Sequence, residues 1–140
     1  MPALAPLRRR LISLVYEALI LAALLLASTL PIVLLTRGWD HAHSRLALQT
    51  GLLIICGGFY VAQWRGIGQT LPMKTWRMRL TLANGDPLGT SRAVFRFLAA
   101  IASLATLGAG FLWALIDKDK QFLHDRVCGT RLFQTEASGA

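Results

Sequence analysis

A single carboxylate interrupts the first long apolar stretch of the chain. Residues Leu11 to Thr36 include one charged side chain, that of Glu17, and are otherwise mostly apolar. A helix needs about 20 apolar residues to cross a bilayer, so this stretch predicts a membrane span. A carboxylate at membrane depth costs on the order of 3 kcal/mol even on the most lenient insertion scale. Glu17 must therefore be neutral, paired with a cation or exposed to a polar cavity.

The composition also indicates a membrane protein. The chain has 140 residues, 54% of them hydrophobic, and a formal net charge of +8. Its basic residues collect at the edges of apolar runs, which is typical of integral membrane proteins. Nucleic-acid binding is disfavoured because the sequence has neither a basic patch interleaved with aromatic residues nor a zinc-ligand spacing. Attraction to anionic lipid explains the positive charge more simply, so we expect the lipid bilayer as partner and no nucleic acid.

The residues that most often bind metals are sparse and poorly spaced for that purpose. Cys56 and Cys128 are far apart and make no metal or redox motif, so we expect them to remain unpaired. His41, His43 and Asp40 lie close together after the first apolar run. A closed zinc site needs more ligands, and solvated loop residues are the simpler interpretation. We therefore predict neither a metal site nor a cofactor.

A second run of membrane-spanning length extends from Leu46 to Trp64. Three glycines within it, Gly51, Gly57 and Gly58, would let a neighbouring helix approach closely. Positive charge is concentrated before the first run and after the second, whereas the connection between them carries two arginines. The positive-inside rule therefore places the N-terminus in the cytoplasm. We expect a multi-pass protein of the bacterial inner membrane.

The loop after the second run is predicted to contain a β-strand. From Lys74 to Leu82, bulky apolar residues alternate with basic or polar ones, which is the period of a half-buried strand. Turn-forming residues follow at 84–87. Residues 130–133 form a second short candidate strand, and we expect the two strands to pair on the cytoplasmic side.

The third apolar segment, residues 93–116, does not have the pattern of a plain span. It is uncharged from Leu98 to Ile116, which is long enough to cross a bilayer. Three features argue against a complete crossing. They are Arg96 near the start of the segment, the Leu-Gly-Ala-Gly sequence at 107–110, and the basic tail that follows. We favour a broken, re-entrant segment over a third span, since irregular backbone at membrane depth is tolerated where protein shields it.

These segments predict an all-α membrane protein with a short cytoplasmic β-pair. Two full transmembrane helices, at about 11–36 and 46–64, accompany the third apolar segment, and the length allows one compact unit. We divide the chain into a basic cytoplasmic N-terminus (1–10), a membrane domain (11–133) and a disordered tail (134–140).

Polar and charged residues of the first span share one helix face. Arg10, Ser13 and Glu17 are spaced by three and four residues, which places them on the same side. Arg10 lies two turns from Glu17, about 10 Å along the axis, too far for direct contact. Arg96, near the entrance of the third segment, is the expected partner of Glu17. Asp125 is then expected to pair with Arg10 or another basic residue at the cytoplasmic surface.

Several short motifs follow one another along the chain. The first consists of Arg10, Ser13 and Glu17, spaced by three and four residues. The others are GQTLPMK at 68–74, Phe-Leu-Trp at 111–113, His124-Asp125 and Gly129-Thr130. In this order they resemble the RDD family of small integral membrane proteins, and the likeness extends from about Leu7 to Phe133. The family is named for one arginine and two aspartates. The resemblance implies that Arg10 is the arginine, that Asp125 is the second aspartate, and that Glu17 stands in place of the first.

Two residues depart from the family pattern. Glu17 keeps the charge of an aspartate but moves it one methylene further from the backbone. Pro72 stands where the family usually has glycine, which excludes a turn with positive φ at that residue.

The resemblance implies a transport role for a small ion or solute, with an intramembrane carboxylate at its centre. The candidate ion or proton site comprises the motif residues and their supporting partners: Arg10, Glu17, Asp125, Ser13, Arg96 and His124. The alternative is a scaffold or assembly partner in which the same charges form a structural ion-pair network. A homo-oligomer or another membrane protein is the expected macromolecular partner.

Enzymatic function is the class that the sequence favours least. His124 and Asp125 are adjacent, but no serine or cysteine nucleophile has a recognisable motif. We therefore expect no enzyme and interpret these two residues as a hydrogen-bonding pair at the surface.

Overall fold

The fold consists of two long helices, a bent pair of shorter helices and a small sheet. A computed structural model describes residues 3–135. Its elements are α1 (Leu7–Leu35), α2 (His41–Arg65), α3 (Leu71–Thr75), β1 (Met78–Leu82), α4 (Thr90–Ala105), α5 (Ala109–Ile116), α6 (Leu123–Cys128) and β2 (Thr130–Gln134). Helices α1 and α2 are long and apolar enough to cross a membrane, as predicted. Large apolar side chains exposed along α1 are suited to lipid contact, with Leu19, Leu26 and Leu30 each more than half exposed.

A short connection folds α2 back against α1. The backbone N–H of His43 donates to the Asp40 side chain at 2.8 Å, which caps the start of α2. Two of the three glycines predicted to allow close approach do face a neighbour. A Cβ at Gly51 would lie 3.0 Å from Ile32 Cδ1, and one at Gly57 would lie 2.9 Å from Phe97 Cε1. α1 also begins earlier than predicted, so the basic residues before Leu11 form its first turn.

Strands β1 and β2 pair antiparallel, with Leu80 opposite Leu132, and this confirms the predicted pairing. The first strand is shorter than expected because Lys74 belongs to α3 instead. Thr70 caps that helix and Pro72 lies in its first turn, where a missing N–H has no cost. Gln134, assigned to the tail in the sequence analysis, is the last residue of β2. The rest of the predicted disordered tail, from residue 136, lies outside the described residues.

The apolar core lies at the sheet end of the molecule, not along the long helices. Side chains of the sheet pack there against the end of α2 and the start of α4, namely Met78, Leu80, Leu132, Trp64, Ala93 and Phe97. The N-terminal segment joins this core through Ala5, whose N–H donates to the carbonyl of Leu132 at 2.9 Å. The start of α1 is thereby fixed to the sheet.

The third apolar segment is broken, as the sequence predicts. Helices α4 and α5 meet at 92°. Gly108 between them has a φ of 77°, which glycine adopts without strain. Gly110 lies so close to Ser103 that a Cβ would overlap the serine side chain. Glycine at this position therefore allows the two arms to touch.

Both ends of the bent pair lie at the sheet end of the molecule. α4 begins shortly after β1, and its Arg96 reaches Asp125 of α6. Just beyond α5, the carbonyl of Lys120 accepts a hydrogen bond from Arg10 in α1 at 2.8 Å. These contacts hold both ends of the bent pair, which by length and composition is a broken span or a re-entrant segment.

This arrangement has a measurable consequence for topology. With both natural cysteines replaced by serine, we expect Asp86→Cys and Lys118→Cys to react with an impermeant maleimide from one face of the membrane. Arg37→Cys, in the α1–α2 connection, should react from the other face. All three positions are exposed. Labelling of Lys118→Cys from the same face as Arg37→Cys would show instead that the third segment crosses completely.

Candidate functional site

A cavity of about 370 Å³ lies between α1, α2 and the bent α4–α5 pair. Five of the six predicted site residues line it: Arg10, Ser13, Glu17, Arg96 and His124. Most of the remaining wall is apolar, with Leu21, Phe97 and Ile101 among its members. Charges in such surroundings are poorly screened and interact strongly. The cavity therefore brings together charges that are distant in sequence.

Glu17 is buried in this cavity, with 7% of its surface exposed. The hydroxyl of Thr70 donates to its carboxylate at 2.5 Å. Thr70 is itself 1% exposed and also caps α3, so its position is held from two sides. The sequence analysis did not identify Thr70 as a partner of Glu17. A threonine followed closely by proline is typical of a helix start, so the sequence could have predicted that Thr70 caps α3. It contains no signal that the same hydroxyl binds Glu17.

Arg96 pairs with Asp125, not with Glu17 as predicted. Its Nη2 lies 2.6 Å from Asp125 Oδ1, and its Nε donates to the same oxygen at 2.8 Å. The guanidinium also lies 4.2 Å from the centre of the Trp64 ring. Both charged side chains are almost fully buried, at 5% and 2% exposure. The expectation was wrong because α6 packs against α4 and brings Asp125 to this guanidinium.

Arg10 binds a backbone carbonyl. It does not pair with Asp125, which was one of the two pairings expected for that aspartate. Its Nη1 donates to the carbonyl of Lys120 at 2.8 Å, in the turn that follows α5. Its Nε is buried and has no hydrogen-bond partner within residues 3–135. Arg10 thereby connects the base of α1 to the turn after the bent α4–α5 pair, and its Nε remains a donor without a partner in the described residues.

His124 is buried and not at the surface, which corrects the interpretation of the His-Asp pair. Its ring stacks on Phe122, with centroids 5.5 Å apart, and meets the edge of Phe111 at 5.0 Å. Burial lowers the pKa of His124 to about 4, so the imidazole is neutral at pH 7. Its Nε2 lies 3.7 Å from Asp125 Oδ1, but a neutral ring makes no ion pair there.

The charges of the site comprise one ion pair and two charged side chains outside it. Arg96 and Asp125 neutralise each other in a tight buried pair, which joins α4 to α6. Arg10 and Glu17 remain on one face of α1, and Glu17 has no ion-pair partner in the described part of the chain. A carboxylate in this state can take up and release a proton or a small cation. No group of three potential metal ligands occurs within residues 3–135.

Comparison with known protein families gives a match over most of the chain. The sequence model described as the RDD family matches residues 4–129, which is most of the chain and includes every residue of the cavity that carries a charge. No curated protein and no solved structure was found to match the chain.

Proposed function

The chain belongs to the RDD family, and on that premise we propose that it transports a small ion or solute through the cavity beside α1. Glu17 is the group that binds the proton or cation in this proposal. The observation that carries it is a buried carboxylate that lines the cavity without an ion-pair partner in the described residues. Ionisable side chains at membrane depth mark proton relays and ion pathways in many membrane proteins.

Charge balance supports an exchange of cation or proton at Glu17. With Arg96 neutralised by Asp125, the charge at the cavity depends on Arg10 and the state of Glu17. Protonation or cation binding at Glu17 changes that charge by one unit in mostly apolar surroundings. Such a change is large enough to bias a conformational equilibrium, because charges there are weakly screened. In the structure, the hydroxyl of Thr70 holds the carboxylate in place.

We place the protein in the bacterial inner membrane with its N-terminus in the cytoplasm. The basic residues within 3–135 support this orientation because they lie mostly at the sheet end, and Arg37 and Arg45 alone lie in or near the α1–α2 connection. The positive-inside rule assigns the sheet end to the cytoplasm. A pathway in so small a chain would be completed by a second copy or by another membrane protein beside the cavity.

Removing the charge of Glu17 is the direct test. We expect Glu17→Gln in liposomes to lower proton or cation flux to the level of protein-free liposomes, while the yield of folded protein stays normal. Glutamine keeps the size of the side chain and an acceptor for the Thr70 hydroxyl but cannot exchange a proton. Flux would be followed with a pH-sensitive dye after pulses of Na⁺ or K⁺, and yield by size-exclusion chromatography.

The matched control is Asp119→Asn, which neutralises a carboxylate with 43% of its side chain exposed. We expect its flux to equal that of the natural sequence. Glu17→Ala, which also removes the acceptor of Thr70, separates charge from packing. Normal flux in Glu17→Gln would rule out the carboxylate as the transport group. A lower yield of folded protein with unchanged flux per folded protein would favour the scaffold.

The scaffold remains the second candidate, and one observation favours it. The Arg96–Asp125 pair is buried and well formed, and it connects elements distant in sequence. Buried pairs of this kind contribute little to net stability but can favour one geometry over others. In this alternative the protein binds another membrane protein, and Glu17 with Thr70 serves to position α3 against α1.

A further inference from the structure

A second cavity, of about 450 Å³, lies at the end of the sheet near the start of α1. It is lined by Arg9, Trp76 and Arg77, together with the N-terminal segment and the end of β2. It shares no lining residue with the cavity around Glu17. This second cavity is therefore a separate site.

The charge of this second cavity suits a phosphate. Neither Arg9 nor Arg77 has an ion-pair partner in the described part of the chain. The carbonyl of Arg77 accepts from the N–H of Thr135 at 2.8 Å, so the backbone that carries its guanidinium is held against the sheet. Arg77 also has a φ of 53°, which is uncommon for a residue other than glycine. Arginine guanidinium groups bind phosphate oxygens in a two-point geometry that lysine lacks.

The position of the cavity along α1 suits a lipid headgroup. Arg9 and Tyr16 are seven residues apart and share a face, with about 10 Å between them along the axis. Trp76 lies at the cavity, and its ring centroid is 6.3 Å from that of Tyr16. Tyr16 is 51% exposed and Leu19 is 63% exposed, so apolar surface continues from the cavity into the span. Tryptophan and tyrosine concentrate at this level of a membrane, between headgroups and acyl chains.

We propose that this cavity binds the phosphodiester headgroup of an anionic glycerophospholipid. Arg9 and Arg77 hold the phosphate, and the rings of Trp76 and Tyr16 contact the glycerol and the upper part of an acyl chain. Free phosphate esters share the chemistry of the headgroup, but they lack the apolar part that this surface would cover. The lipid ties the start of α1 to the turn between α3 and β1.

Binding of short-chain phosphatidylglycerol to the detergent-solubilised protein tests this proposal. We expect Arg9→Gln/Arg77→Gln to weaken binding roughly tenfold or more, because both guanidinium groups lose their charge-assisted hydrogen bonds to the phosphate. The control Arg8→Gln/Arg65→Gln removes the same charge from exposed positions outside the cavity. It should change the affinity less than about twofold, because solvent and salt screen charges that do not contact the phosphate. Arg9→Lys/Arg77→Lys keeps the charge and should retain part of the affinity.

Three comparisons decide the outcome. Phosphatidylcholine should bind more weakly than phosphatidylglycerol, and glycerol phosphate or inorganic phosphate should not displace the lipid. Equal weakening by the two glutamine double variants would mean that net charge, not this cavity, attracts the lipid, and would overturn the proposal. Displacement by inorganic phosphate at concentrations equal to the lipid would assign the site to soluble phosphate esters instead. A double variant that elutes as aggregate is replaced in the comparison by the lysine variant.

Discussion

Asp125→Ala is expected to lower the free energy of unfolding by about 3–5 kcal/mol. The substitution leaves Arg96, whose side chain is 5% exposed, as a buried cation with no carboxylate. Thr130 also loses a side-chain acceptor, since its hydroxyl lies 3.3 Å from Asp125 Oδ1. The ring of Trp64 at 4.2 Å compensates only part of the lost interaction.

The measurement is reversible unfolding in detergent micelles, with Arg126→Ala as the matched control. Arg126 is also 2.6 Å from a carboxylate, that of Asp117, but 49% of its side chain is exposed. Asp117 is itself 5% exposed, but it keeps hydrogen bonds from the backbone N–H of Asp119 and Gln121 when Arg126 is removed. Because solvent also reaches Arg126, we expect a loss of about 1 kcal/mol. The double variant Arg96→Met/Asp125→Leu should recover most of the stability, because no unpaired charge remains. Similar losses for Asp125→Ala and Arg126→Ala would contradict a buried origin of the effect.

The buried pair and the cavity carboxylate have different consequences for function. Arg96 and Asp125 satisfy each other, so their contribution is to the geometry of α4 and α6. Glu17 has a hydroxyl partner and a cavity, so its protonation state can change without breaking an ion pair. Under the proposed function, the structural role therefore falls on Arg96 and Asp125 and the transport role on Glu17. Asp125 variants should lose stability first, and Glu17 variants should lose flux first.

Much of the fold could be predicted because it follows from local patterns. The lengths of the apolar runs predicted α1 and α2, and the alternation before Leu82 predicted β1. The Leu-Gly-Ala-Gly sequence predicted the break between α4 and α5, which the positive φ of Gly108 now explains. Each of these signals lies within the element that it predicts.

The partners of the site residues could not be predicted because they depend on how distant elements pack. Helical spacing placed Arg10 and Glu17 correctly on one face, but the partner of Arg96 depends on the position of α6. Thr70 is 53 residues from Glu17, and nothing in its own surroundings indicates a carboxylate. His124 is buried because Phe111 folds back on it through the bend.

Gly68→Ala is expected to cost about 3 kcal/mol of stability and to abolish the contact between Thr70 and Glu17. Gly68 has a φ of 70°, a conformation that costs a residue with a Cβ about 1–2 kcal/mol. A Cβ would also overlap the carbonyl oxygen of Leu80, which is backbone and cannot rotate away. Relief of that overlap would strain the hydrogen bond from Leu80 N–H to the carbonyl of Gly68, 2.7 Å long and contributing about 1 kcal/mol.

Gly85→Ala separates the cost of a positive φ from the cost of steric overlap. Gly85 has a φ of 91°, but no atom lies within 4 Å of a Cβ built at this position. It should show the backbone cost alone, about 1 kcal/mol, in the same unfolding measurement. Gly68 stands two residues before Thr70, so a shift there moves the hydroxyl that holds Glu17. We therefore expect Gly68→Ala to reduce flux as well, while Gly85→Ala leaves flux unchanged. Equal stability of the two variants would mean that the chain between α2 and β1 is not fixed by the close approach of Gly68 to Leu80.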